Sequence, residues 1–128
     1  MKPKTVLIID DDPDYVVAVS ALLTSAGYEV HSAPDGTAGL REARALVPDL
    51  VLLDVMMTER TEGLTTLQQI RAVPELATTR VAVISSLYAE LPILQVSPDA
   101  GGVAADLCLP KPVDPARLLA EAARLTQR

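Results

Sequence analysis

The feature that most restricts the fold is a rhythm of five short aliphatic runs separated by longer amphipathic stretches. The first run, Thr5-Val6-Leu7-Ile8-Ile9, is continuous and rich in β-branched residues. Such a run suits a strand covered on both faces, because no position in it alternates toward water. Asp12 is a good N-cap with Pro13 at the first helical position, and Val16, Val19, Leu23 and Ala26 then recur at helical spacing up to Gly27. Tyr28 to Ala33 reads as a second strand, and Leu40, Ala43 and Val47 give the next helix its inner face before Pro48 stops it. Leu50-Val51-Leu52-Leu53 is the most hydrophobic strand and ends on Asp54. A third helix is predicted from Gly63 to Ala72, a fourth strand from Val81 to Ile84, and a weaker fifth from Asp106 to Leu109. Leu118, Ala122 and Leu125 line a final helix capped by Asp114 with Pro115 behind it.

Strands alternating with helices require parallel pairing through right-handed crossovers, so the class is α/β with helices on both faces of one sheet. The 128 residues are enough for one hydrophobic core. That core is aliphatic, since the chain has no Trp, no Phe and three Tyr. The formal net charge of -6 argues against direct nucleic-acid binding, which needs Lys and Arg to displace condensed counterions. One cysteine excludes an internal disulfide and makes a cytoplasmic location the default. No apolar run approaches the length of a membrane span, so no membrane association is expected.

In an open parallel sheet, ligands gather beyond the carboxyl ends of the strands. The first strand delivers Asp10, Asp11 and Asp12 to that rim, the third Asp54, the fourth Ser85, and the fifth is followed by Lys111-Pro112. Each element alone is commonplace: a solvated turn, a helix cap, a turn serine, a loop lysine. Their joint occurrence at the ends of four correctly ordered strands is not. Packed carboxylates repel one another, and a hard cation relieves the repulsion. Oxygen donors at this density suit Mg²⁺, which accepts one or two carboxylates together with phosphate oxygen. Beside such a cation Asp54 can act as a nucleophile, while the Lys111 ammonium and the Ser85 hydroxyl serve phosphoryl oxygens.

Ile8-Ile9-Asp10-Asp11-Asp12-Pro13, Leu52-Leu53-Asp54-Val55-Met56-Met57, Ile84-Ser85-Ser86 and Pro110-Lys111-Pro112 resemble the four signatures of bacterial response-regulator receiver domains. The match covers essentially the whole chain, and the intervals suit it: 43 residues separate Asp11 from Asp54, and 31 separate Asp54 from Ser85. The resemblance implies a flavodoxin-like (βα)5 three-layer sandwich with a parallel five-stranded sheet in the order 2-1-3-4-5, and one receiver domain over residues 1–128. It implies Asp54 as the phosphoacceptor, with Ser85 and Lys111 completing the catalytic set. Mg²⁺ or Mn²⁺ would be held by Asp11, Asp54, the backbone carbonyl of Met56 and, through water, Asp10. The phosphoryl group would come from a sensor histidine kinase or a phosphotransfer protein in two-component signalling. A conformational switch would then signal to a downstream protein that the sequence does not name, and homodimerisation stays open. Catalysis would be confined to the chain's own acylation and its reversal, so no enzyme is expected.

The sequence also departs from that pattern. Met57-Thr58-Glu59-Arg60-Thr61-Glu62-Gly63 lacks the usual Pro after Met-Met and runs one residue long. Cys108 stands where receivers often carry the aromatic residue that reports phosphorylation. Ser85 to Lys111 spans 26 residues, a few more than typical, through the proline-broken stretch 86–105. Met56 and Leu87 stand two residues beyond Asp54 and Ser85, positions that in the resembled family face the attacking water; two apolar side chains there offer it no hydrogen bond, which implies a long-lived acyl phosphate. These departures keep a second reading alive: a pseudo-receiver that acts as a constitutive binding or dimerisation module. An aspartyl phosphohydrolase is disfavoured, because Met56 occupies the place of the second Asp such enzymes need. His31 has no partner motif and is assigned no role.

Overall fold

The computed structural model describes residues 3–54, 62–85, 106–110 and 113–126. Its elements are β1 (Thr5–Ile9), α1 (Pro13–Ser25), β2 (Glu29–Ala33), α2 (Gly36–Leu46), β3 (Leu50–Asp54), α3 (Glu62–Ala72), a 3₁₀ turn (Pro74–Leu76), β4 (Arg80–Ser85), β5 (Leu107–Pro110) and α4 (Pro115–Thr126). All four strand pairings are parallel and the sheet order is β2-β1-β3-β4-β5, as expected. The fold is that of a flavodoxin-like α/β sandwich.

Strand parity divides the interior into two cores. Leu7 and Ile9 of β1, Val51 and Leu53 of β3, and Val81 and Val83 of β4 pack on one face against Ala43 of α2 and Leu67 and Ile70 of α3. Val6, Ile8, Leu50, Leu52, Ala82, Ile84 and Leu109 pack on the other, against Val19 and Leu23 of α1 and Leu118, Ala122 and Leu125 of α4. Both faces of the central strands are therefore dry, which is why those strands read as unbroken apolar runs. Each fully buried Leu or Ile contributes about 1.5–3 kcal/mol of transfer free energy.

Helix ends follow local chemistry. Asp12 Oδ1 accepts from the backbone N–H groups of Asp14 (3.1 Å) and Tyr15 (3.3 Å), starting α1 behind Pro13. Gly27, at φ +97°, turns the chain out of α1. Asp35 Oδ1 accepts from Ala38 N–H at 2.8 Å and starts α2. That helix ends at Leu46 and is capped by Val47, whose backbone is left-handed (φ 44°, ψ 64°) and whose N–H donates to Ala43 O. A β-branched residue is costly there, because its Cβ crowds the carbonyl oxygen. Val47 is 47% exposed and forgoes little packing if replaced. Val47→Gly is expected to raise stability by about 1 kcal/mol, readable in the midpoint of urea unfolding with the slope unchanged.

The rim of the sheet below the amino ends of the strands is held by carboxylates. Asp49 Oδ2 accepts from Thr5 N–H at 2.9 Å. Asp106, just before β5, accepts from Val81 N–H at 2.8 Å, from Arg71 Nη2 of α3 at 2.7 Å and from Arg80 Nη1 at 3.2 Å. Arg71 also donates through Nη1 to Thr79 O at 2.8 Å. The start of β5 is thereby tied to both β4 and α3. His31, on edge strand β2, pairs with Glu29 at 2.9 Å across the exposed edge, a local surface contact.

Candidate metal and phosphoryl site

The opposite rim carries the site, and register builds it. β1 and β3 pair with Ile8 opposite Leu52 and Ile9 opposite Leu53. One step further along both strands, that offset brings Asp10 beside Asp54. Asp54 is the last residue of β3, two positions beyond Leu52 and so on the face covered by α1 and α4. Asp10 leaves β1 with its N–H donating to Ala33 O at 3.1 Å, while its Oδ1 accepts from Asp12 N–H at 2.9 Å. The turn into α1 thus fixes the first acid, and the ladder fixes the second.

Asp10, Asp11 and Asp54 bring one carboxylate oxygen each to within 4.8 Å of one another. Asp10 and Asp54 are each 4% exposed, whereas Asp11 is exposed. A hard cation fits this donor set. Two oxygens bound to Mg²⁺ at 2.0–2.1 Å stand at most about 4.2 Å apart, so the cluster closes on an ion with small side-chain movements. The buried pair supplies negative potential and the exposed third acid leaves an entrance from water.

Tyr15 adds a group that periodicity alone presents as core. It lies in the first turn of α1, packs against the core under that helix, and its hydroxyl oxygen is buried. Burial, and then the negative charges of Asp10 and Asp54, push its phenol up to about 12. The hydroxyl therefore stays protonated at neutral pH and is available only as a neutral donor or acceptor.

Of the residues singled out from the sequence, Asp10, Asp11 and Asp54 meet. Ser85 closes β4, paired in register with Pro110, whose successor in the chain is Lys111. Cys108 is a β5 position opposite Val83. Met56, Lys111, the 57–61 loop and the stretch 86–105 lie outside the described residues, as does Leu87 with the lifetime expectation attached to it.

With this geometry in hand, the family relationship is direct. The model of the response regulator receiver domain matches residues 6–123. The chain belongs to that family. Among curated proteins this receiver is 37% identical over 123 residues to the DNA-binding dual master transcriptional regulator RpaA of Synechocystis sp., covering 96% of this chain and 49% of RpaA. It is 38% identical over 71 residues to the probable transcriptional regulatory protein TcrX of Mycobacterium tuberculosis, covering 56% of this chain and 30% of TcrX. The receiver thus spans half or less of the length of these curated relatives. Among solved structures, the CheY-like receiver domain protein of Methanospirillum hungatei superposes with a TM-score of 0.82 at 28% identity, covering 95% of this chain and 92% of that one. The chemotaxis protein CheY4 of Vibrio cholerae gives 0.79 at 28%, covering 96% and 98%. Membership of the family gives the chain a phosphoacceptor role in signalling.

Proposed function

We propose that Asp54 is the phosphoacceptor and that the donor is a phosphohistidine on a sensor histidine kinase or a phosphotransfer protein. An Asp54 Oδ forms a bond to phosphorus as the P–N bond breaks; the electron pair stays on the imidazole nitrogen and the product is an acyl phosphate. Mg²⁺ or Mn²⁺ at Asp11, Asp54 and the Met56 carbonyl, with Asp10 reached through water, would neutralise the charge that otherwise keeps an anionic donor from an anionic acceptor. Ser85 and Lys111 engage the phosphoryl oxygens, one as a hydroxyl donor and the other as a compact positive charge. The convergence of Asp10, Asp11 and Asp54 within 4.8 Å carries this reading, because oxygen donors grouped in that way suit a hard divalent cation.

Phosphorylation then biases a two-state equilibrium, and the altered surface is read by a protein partner. The chain acts as a single receiver over residues 1–128, catalyses only its own acylation and its reversal, and works in the cytoplasm. Among the described residues no helix is long and apolar enough to cross a membrane. The constitutive pseudo-receiver reading is disfavoured by the assembled acidic site.

The test is mass spectrometry after incubation with acetyl phosphate and Mg²⁺. The parent is expected to gain one phosphoryl group, and to gain none when a chelator replaces Mg²⁺ or when Asp54→Ala is used. Equal labelling of parent and Asp54→Ala would reject Asp54 as the acceptor.

A further inference from the structure

β5 is four residues long and pairs with β4 alone, so little in its own ladder fixes its register. Leu107 and Leu109 both belong to the core shared with α1 and α4. Sliding β5 along β4 by one position would turn both leucines away from that core. Sliding it by two would not, because two residues is the period of a strand. The aliphatic pattern therefore leaves registers two positions apart undecided, and Pro110 has no N–H with which to choose between them.

Asp106 makes the choice. Its N–H donates to Val81 O and its carboxylate accepts from Val81 N–H, both at 2.8 Å, so one residue grips the other from two sides. In registers two positions away, Ala104 or Cys108 would stand in its place, and neither carries a carboxylate. The carboxylate is itself held: Arg71 of α3 donates to it at 2.7 Å and also to Thr79 O at 2.8 Å. Thr79 Oγ1 in turn donates to Pro48 O at 2.8 Å, just ahead of β3. The start of β5 is thus referenced, through α3 and β4, to the strand that ends on Asp54.

At the other end of β5, Ser85 pairs with Pro110, and Lys111 is the next residue in the chain. A slide of two positions would carry that end about 7 Å along β4. We propose that Asp106, steadied by Arg71, is a positioning residue for phosphoryl transfer: it selects the β5 register that presents Lys111 beside Ser85. Its effect runs through Lys111 and not through the cation, since Asp10, Asp11 and Asp54 stand at the ends of β1 and β3. This assignment rests on the reading of Asp54 as the phosphoacceptor, with Lys111 serving the phosphoryl oxygens.

The experiment times the gain of phosphoryl mass from acetyl phosphate and Mg²⁺ in the parent, Asp106→Ala, Arg71→Gln and Lys111→Ala. Circular dichroism first confirms which variants are folded. Asp106→Ala is expected to be about tenfold slower, since a misplacement of about 1 Å at a reacting centre can cost about a hundredfold. Arg71→Gln leaves the carboxylate on Val81 but frees it from α3, and is expected to be slowed less. Calorimetry is expected to give both an Mg²⁺ affinity within about twofold of the parent's. Whichever of the two folds is then combined with Lys111→Ala. The combination is expected to be no slower than Lys111→Ala alone, because the register then has no ammonium to present. A purely structural Asp106 would instead multiply its loss with that of Lys111→Ala. The proposal falls if the losses multiply, or if Mg²⁺ affinity drops alongside the rate. It falls equally if no folded variant at Asp106 or Arg71 is more than about twofold slower. Lys111→Ala as fast as the parent also overturns it and leaves Asp54 as acceptor untouched. A parent that gains no phosphoryl mass on Asp54 instead overturns the reading beneath it.

Discussion

Asp54→Asn is expected to make the metal-free protein more stable while removing its response to Mg²⁺. Asp10 and Asp54 are both buried and share a 4.8 Å neighbourhood with Asp11. Two unit charges at that separation repel by about 3 kcal/mol at an effective dielectric near 20. Hydrogen bonds such as the one from Asp12 N–H to Asp10 offset part of this. Neutralising one member should therefore return on the order of 1–2 kcal/mol. Asn keeps the shape of Asp, so packing contributes little to the difference. The cation works in the other sense: it binds the folded parent and not the unfolded chain, and at a hundred times its dissociation constant adds about 2.7 kcal/mol. Thermal unfolding of both proteins with and without Mg²⁺ reads all four states. The parent should shift upward with Mg²⁺ and Asp54→Asn should not. A metal-free Asp54→Asn less stable than the parent would sink the account of the site as a repelling cluster.

Asp106→Ala is expected to cost about 2–4 kcal/mol, the larger structural effect. One carboxylate accepts from Arg71, Arg80 and Val81 N–H, and its side chain is only 22% exposed. Truncation takes the carboxylate from the Arg71 guanidinium, itself 21% exposed and left with its bond to Thr79 O, and leaves the first N–H of the β4–β5 edge without its carboxylate partner. Arg80 is 53% exposed and is expected to matter little, since exposed ion pairs contribute about 0–1 kcal/mol. Urea unfolding of Asp106→Ala, Arg71→Ala and Arg80→Ala tests the order. Comparable losses at Arg71 and Arg80 would refute the distinction drawn from burial.

The strands were legible because they rest on one-dimensional signals, while their order in the sheet followed only from the family resemblance. Unbroken aliphatic runs mark the central strands, and Asp12-Pro13 and Gly27 mark helix ends by local hydrogen bonding and backbone preference. Asp10, Asp11 and Asp54 were legible as a group because strand ends in a parallel sheet share a rim. What the chain did not disclose depends on distant partners. Tyr15 lies on the core side of α1, and only the packing of that helix shows that its hydroxyl is buried. Asp106 was expected to begin β5, but its carboxylate is occupied with Arg71, 35 positions earlier, and the strand begins at Leu107. Pro48 was expected to end α2, yet the left-handed turn at Val47 has already ended it.

The matched ladder of β1 and β3 has a consequence for how such a molecule can be altered. Beyond the turn that fixes Asp10, the crossovers between the two strands can lengthen or shorten without changing the register, since that is set by the pairing of Ile8 with Leu52. A single residue inserted within β3 is different in kind. It would carry the Asp54 carboxylate through the sheet to the side of α2 and α3, away from Asp10, while the insertion itself exchanged one aliphatic layer for another. Chain length here is thus free between strands and quantised in steps of two within them.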